Sequence, residues 1–255
     1  NSVPANDDGS SPQVDIGFDV DFFGTTYSQL YVNNNGNVTF DSALDDFTPF
    51  QLATTDRKII AAFFADVDTR GADSGLTQYG YGSTLYEGRP AFCATWKGVG
   101  YYASHTDKVD SFQLLLVDRS DVAPKAFDIV MNFDKITWET GDASGGSGGL
   151  GGSSARVGYS NGDTKSFELP GSGTNGAFLD SNAVTGLVHG SRGSTVPGRY
   201  VFQVRNGDAA TGHQLSGTVV NASSTPQAGV AGAYVSACAT AGEAAGSCSL
   251  TTTGN

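Results

Sequence analysis

Positive charge is scarce in this chain. Fourteen lysines and arginines stand against 26 aspartates and glutamates, a formal net charge of −12. Such a surface repels phosphate backbones and anionic lipid, so nucleic acid is excluded as an expected partner. Long apolar runs are missing too: no stretch of 18 apolar residues occurs, and no membrane insertion is expected of this segment. Histidine is limited to His105, His189 and His213, with no pair at metal-ligand spacing, and glutamate to Glu87, Glu139, Glu168 and Glu243. No amphipathic helix of three turns can be traced. Cysteine is limited to Cys93, Cys238 and Cys248. Cys238 and Cys248 stand ten apart around Gly242 and Gly246, a spacing that suits a disulfide across a hairpin and so an oxidising compartment. Cys93 lies in an apolar strand and reads as a buried free thiol. The sequons at Asn37 and Asn221 read as chance matches.

What is abundant is glycine, at 35 of 255 residues, with 11% aromatics. Many turns together with aromatic and β-branched residues favour strands. At about 150 residues per domain, the length allows one to two domains. Val14, Ile16, Phe18, Val20 and Phe22 alternate with Asp15, Gly17, Asp19 and Asp21, the period of a half-buried strand with an acidic outer face. Asn33-Asn34-Asn35-Gly36, between Leu30-Tyr31-Val32 and Val38-Thr39-Phe40, is a hairpin signal. The continuous apolar run from Ile59 to Ala65 suits a strand buried on both faces. Further strands are expected at 89–96, 111–117, 127–133, 155–160 and 199–205, with Ile136 and Trp138 continuing the rhythm of the third. The stretch 45–58 has room for one short helical turn, and the glycine- and serine-rich run 141–154 reads as a long exposed loop. The expected fold is all-β: an antiparallel β-sandwich-like domain over 1–206, a linker at 207–213, and a partial second β module over 214–255.

Several ordered segments resemble the nidogen-like (NIDO) domain of nidogens, tectorins and membrane mucins. They are Leu30 to Phe40, Ile59 to Arg70, Ala91 to Trp96, Val99 to Tyr102, Asp110 to Asp118, and Phe127 to Gly141 with its Trp138-Glu139-Thr140-Gly141 ending. The resemblance covers roughly residues 10–206. It implies an extracellular, secreted or cell-surface setting and a link to cell–matrix adhesion, and it carries over no catalytic residues. Leu215-Ser216-Gly217-Thr218-Val219-Val220 and Gly229-Val230-Ala231-Gly232-Ala233 resemble the opening of a carboxypeptidase-regulatory-like or other Ig-like module, which implies a stalk or spacer.

The most chemical-looking segment is Asp66-Val67-Asp68-Thr69-Arg70-Gly71-Ala72-Asp73. Asp66 and Asp68 share one face at a strand end, and Asp73 follows a glycine turn; such a loop can collect oxygens for calcium. Arg70 at a ligand position, and Thr77 where an EF-hand needs glutamate, exclude an EF-hand. The alternative is that these aspartates cap turns and pair with Arg57 or Arg70. Gly145-Gly146-Ser147-Gly148-Gly149 matches the hydrolase nucleophile elbow in letters alone, because no helix follows. Glu139 and Asp142 beside Trp138 could form a glycosidase pair; the alternative is a core tryptophan and a salt-bridged glutamate. The reading that results is a non-catalytic extracellular adhesion or matrix module. Its expected partner is an extracellular protein, a glycan, or copies of itself. The alternatives are a subunit of a self-assembling fibre and a glycan-acting hydrolase.

Overall fold

The structure, a computed structural model, describes residues 1–82, 84–209, 234–238 and 248–252. The chain divides into two compact units, Asn1–Thr211 and Gly212–Asn255. The strands of the first unit are β1 (Val14–Phe22), β2 (Thr25–Asn33), β3 (Asn37–Thr39), β4 (Lys58–Phe64), β5 (Val67–Asp68), β6 (Thr77–Gly80), β7 (Leu85–Tyr86) and β8 (Arg89–Tyr101). They continue with β9 (His105–Asp118), β10 (Phe127–Lys135), β11 (Gly146–Ser147), β12 (Leu150–Gly151), β13 (Arg156–Asn161), β14 (Ser166–Glu168), β15 (Arg199–Arg205) and β16 (Asp208–Ala209). One antiparallel sheet runs β1-β2-β3-β4-β13-β14, and a second runs β16-β15-β10-β9-β8-β5 with β6 and β7 also on β8. Their apolar faces supply one core that includes Ile16, Val32, Ile60, Phe63, Phe92, Trp96, Leu114, Ile129, Trp138 and Phe202. The fold is all-β, antiparallel and sandwich-like, as the alternation in the sequence implies.

Period-two alternation accounts for most of this packing. In β1 the apolar residues Val14, Ile16, Val20 and Phe22 are buried, while Asp15 and Asp19 face solvent. In β10, Phe127, Ile129, Met131 and Phe133 enter the core, while Asp128 on the other face takes Arg119 at 2.8 Å and Arg205 at 2.6 Å. β4 is buried on both faces. Ile60 and Ala62 point into the main core, and Ile59 and Ala61 into a second cluster, until Phe63 and Phe64 reverse the phase. The reversal coincides with a register shift against β13, where Ala61 faces Gly158 but Phe64 faces Arg156. One extra residue in one strand of a ladder does this.

Four expectations are corrected. The stretch 45–57 is irregular with one turn at 52–53 and no helix, and Lys58 opens β4, because Thr48 precedes Pro49 and Leu44, Phe50 and Leu52 are spread over β4 to cover Ile59, Ala61 and Phe64. The run 141–154 is a folded lobe: a 3-10 turn at Asp142–Ser144 and the β11–β12 hairpin, with Gly141, Ser144, Gly149 and Ser154 buried. Ile136 and Trp138 are buried but follow the end of β10, their backbone amides bonding the Asp180 and Asp110 carboxylates in place of a ladder. Cys93 is free but only half-buried, since β8 turns it to the outer face beside Ala91, Leu115 and Val130.

In the second unit, β17 (Tyr234–Cys238) pairs antiparallel with β18 (Cys248–Thr252), and Cys238 stands opposite Cys248. The disulfide expectation concerns side chains outside the described residues, and Asn221 and most of the expected module over 214–255 lie outside them as well.

Candidate functional site

The asparagine turn between β2 and β3 organises the site. The expected hairpin is present: Asn33 pairs with Asn37, leaving a three-residue loop, Asn34–Gly36. Gly36 has φ +76°, and a Cβ there would collide with the Phe63 carbonyl, so no other residue fits. The loop is buried, and its side chains replace solvent with protein partners. Asn34 Nδ2 donates to Val67 O at 2.6 Å, and its carbonyl accepts the Trp96 indole N–H at 2.9 Å. Asn35 Oδ1 accepts Val67 N at 2.9 Å, and its Nδ2 donates to Asp8 Oδ1 at 2.9 Å. The sequon at Asn37 is fully buried and hydrogen-bonded to Asn33, which is not an acceptor geometry for a glycan.

Asn34 also donates to Asp7 O, which draws in the amino-terminal segment. Asn6 closes a turn there, its Oδ1 accepting Gly9 N at 2.6 Å, and its carbonyl accepts Thr69 N at 2.9 Å. The result brings the carboxylates of Asp7, Asp8 and Asp66 together, with one oxygen of each within 4.8 Å of the others. Asp66 is 1% exposed, and neither of its carboxylate oxygens has a hydrogen-bond partner; Asp7 Oδ1 is equally unpartnered. The nearby Ser144 hydroxyl eases the charge slightly, but its hydrogen bonds go to Phe47 O and Thr48. Burial, then the charges of Asp7 and Asp8, push Asp66 up to about 7; burial, then Asp8 and Asp68, push Asp7 up to about 6. Burial also raises Asp8, with the Asn35 hydrogen bond opposing it.

The three aspartates singled out in the sequence therefore part company. Asp66 joins Asp7 and Asp8. Asp68 is filled: its oxygens accept Arg70 Nε at 2.9 Å, Arg70 Nη2 at 2.7 Å and Ser104 N at 2.8 Å. Burial alone would raise its carboxyl, but these bonds outweigh it and hold it below the usual range. Asp73 is exposed on the turn before β6. Asp7 and Asp8 went unnoticed because they lie far from Asp66 in sequence; the signal available was Asn6-Asp7-Asp8-Gly9, a turn sequence between polar residues.

Over Asp66 lies the glycine lobe. A Cβ on Gly141 would collide with the Asp66 carboxylate. The lobe is latched at its edge by His105 Nε2 against Asp142 Oδ2 at 3.0 Å and by Lys108 Nζ on Gly148 O. Glu139 and Asp142 do not form a pair. Glu139 is fully buried and accepts the amides of Gly176 at 2.5 Å and Phe178 at 2.6 Å, not a salt bridge, while Asp142 is exposed. Trp138 is core, its indole donating to Val99 O at 3.2 Å. Ser147 sits in the β11–β12 hairpin, not between a strand and a helix.

Comparison with known proteins decides the family. The nidogen-like domain profile matches residues 28–206. The chain belongs to the nidogen-like domain family. It is 35% identical over 224 residues to alpha-tectorin of Mus musculus and 34% to that of Homo sapiens, in each case over 79% of this chain and 10% of the relative. It is 30% identical over 208 residues to nidogen of Drosophila melanogaster, over 72% of this chain and 14% of the relative. The nidogen-like chain thus spans about a tenth of the length of these alpha-tectorins. No solved structure matches it. Asp66 falls inside the matched residues, and Asp7 and Asp8 precede them.

Proposed function

We propose that this nidogen-like chain is a non-catalytic, extracellular module that binds a matrix or surface partner, either a protein or a glycan. The observation that carries the reading is the family membership itself, with matching sequence running through both sheets. The site chemistry supports it. The carboxylates with the most perturbed surroundings are either enclosed by backbone amides, as Glu139 is, or gathered with other carboxylates, as Asp66 is. A nucleophile needs a base within hydrogen-bond reach. His105 is held between Asp142 and the Tyr101 ring, which it stacks at 4.8 Å. No helix among the described residues is long and apolar enough to cross a membrane.

The test is a binding screen of the purified chain against immobilised matrix proteins and a glycan array, run beside a broad hydrolase panel. Saturable binding without turnover is expected. Robust turnover of a glycan, ester or peptide that disappears in Ser147→Ala or Glu139→Gln would overturn the reading. Size-exclusion chromatography of the chain alone separates partner binding from self-assembly.

A further inference from the structure

We propose that Asp7, Asp8 and Asp66 form a calcium site that fastens the amino-terminal segment to the β domain. Two independent observations meet here. The three carboxylates converge within 4.8 Å, about the distance between oxygens on opposite sides of a calcium ion whose ligands lie at about 2.3–2.6 Å. Separately, Asp66 is 1% exposed with both oxygens unpartnered, a condition that buried carboxylates are rarely left in.

Internal partners do not resolve this. Arg70 ion-pairs with Asp68 at 2.7 Å and with Asp7 at 3.0 Å, so one guanidinium faces a group of four carboxylates: Asp7, Asp8, Asp66 and Asp68. A proton on Asp66 would remove one charge but leave the carboxylates of Asp7 and Asp8 crowded together beside it. A water molecule would donate to the oxygens and leave the charges uncompensated. A divalent cation answers both needs.

The donor set selects its chemistry. All donors are carboxylate oxygens, which suit a hard cation and not zinc or copper. Asp7 and Asp8 come from an irregular turn that can adjust to the variable coordination of calcium, whereas magnesium demands near-ideal octahedral geometry. Three carboxylates supply up to six oxygens, with Asp8 Oδ1 shared with Asn35, and water completes the shell.

The architecture assigns the ion its role. Asp66 leads out of β4 into β5, and Gly141 closes over it. Asp7 and Asp8 belong to a segment held otherwise by hydrogen bonds such as Val3 N to Thr77 O at 2.9 Å and Asn34 N to Gly9 O at 2.9 Å. An ion among the three would join this segment to the end of a core strand.

Calcium titration calorimetry, thermal melts and amide exchange on the whole chain test the proposal. One ion per chain is expected, with a rise in Tm on calcium addition, a smaller rise with magnesium, and slowed exchange at Gly9. Asp66→Asn should weaken calcium binding at least tenfold and abolish the shift. Should that buried variant fail to fold, the partly exposed Asp8→Asn decides, with the same weakening expected. Asp73→Asn should bind as the parent does. No heat and no shift up to about 10 mM calcium, well above the weak extracellular range, would overturn the site. So would parental affinity in Asp8→Asn, or loss of binding in Asp73→Asn. Binding without any change in exchange at Gly9 would overturn the fastening role. The proposal does not rest on the matrix reading: calcium binding by a chain that recognises no matrix partner leaves this site standing.

Discussion

Asp110 shows how much a single buried carboxyl can impose on this protein. It lies on β9 with no exposure; one oxygen accepts Thr137 N at 2.6 Å and Trp138 N at 3.3 Å, and the other has no partner. Burial, opposed by those two amides, pushes its pKa well above the usual carboxylate range. The unfolded chain releases this proton near pH 4, while the folded chain keeps it. Stability contributed by the group is therefore complete below about pH 4 and declines as pH rises toward the folded pKa, by at most about 1.4 kcal/mol per pH unit. Asp110→Asn keeps an oxygen for the two amides and has no proton to lose. Urea melts at about pH 4 and pH 8 should show a smaller loss of stability for the variant than for the parent; equal slopes would mean that Asp110 does not carry this dependence. Residues of this kind were only half legible. Asp66 stood out beside an apolar run, but its partners lie nearly a whole sheet away in sequence, and only the folded asparagine turn brings them to it.

Elements were easier to read than residues wherever one face meets the core, because period two is written directly into β1, β10 and β15. Composition misled where polar or small residues are buried. Asn33 to Asn35 look like a solvent turn yet are 0–1% exposed, their amides serving as internal hydrogen-bond partners. The lobe at 141–154 looks like a flexible linker yet is hydrogen-bonded throughout. Gly149 O accepts both Glu139 N at 2.8 Å and Thr140 N at 3.1 Å, and Ser144 O accepts Ser153 N at 2.9 Å. Glu139 and Thr140 are fully buried, so deleting Gly145 to Gly152 leaves two buried amides without acceptors, at about 1–3 kcal/mol each. A Tm lowered by more than about 4 °C is expected for the deletion. An unchanged Tm would show that the lobe is dispensable. Gly141→Ala probes the same packing with one methyl group. Its collision with the Asp66 carboxylate should cost about 1–3 kcal/mol, read as a lower urea midpoint.

At the scale of the whole molecule, the two units differ in what can hold them. The first has one continuous core drawn from two sheets. The second spans about forty residues, Gly212–Asn255, a size at which a hydrophobic core rarely suffices and a covalent staple commonly substitutes. The β17–β18 register sets Cys238 opposite Cys248, which is what the proposed disulfide requires of the backbone. Closing a loop of this length should contribute about 2–3 kcal/mol, a large share of what so small a unit can hold. The first unit contains only Cys93, which is free, so reduction has no crosslink to remove there. Two results should follow together. Alkylation of the native protein under non-reducing conditions should add at most one label, at Cys93, and mass spectrometry after reduction should add three. Thiol reductant should loosen amide exchange at 234–238 and 248–252 while leaving β4, β8 and β9 protected. Three labels without reduction would refute the staple. Loss of protection in β8 and β9 on reduction would refute the independence of the first unit, because no bond within it is then being broken.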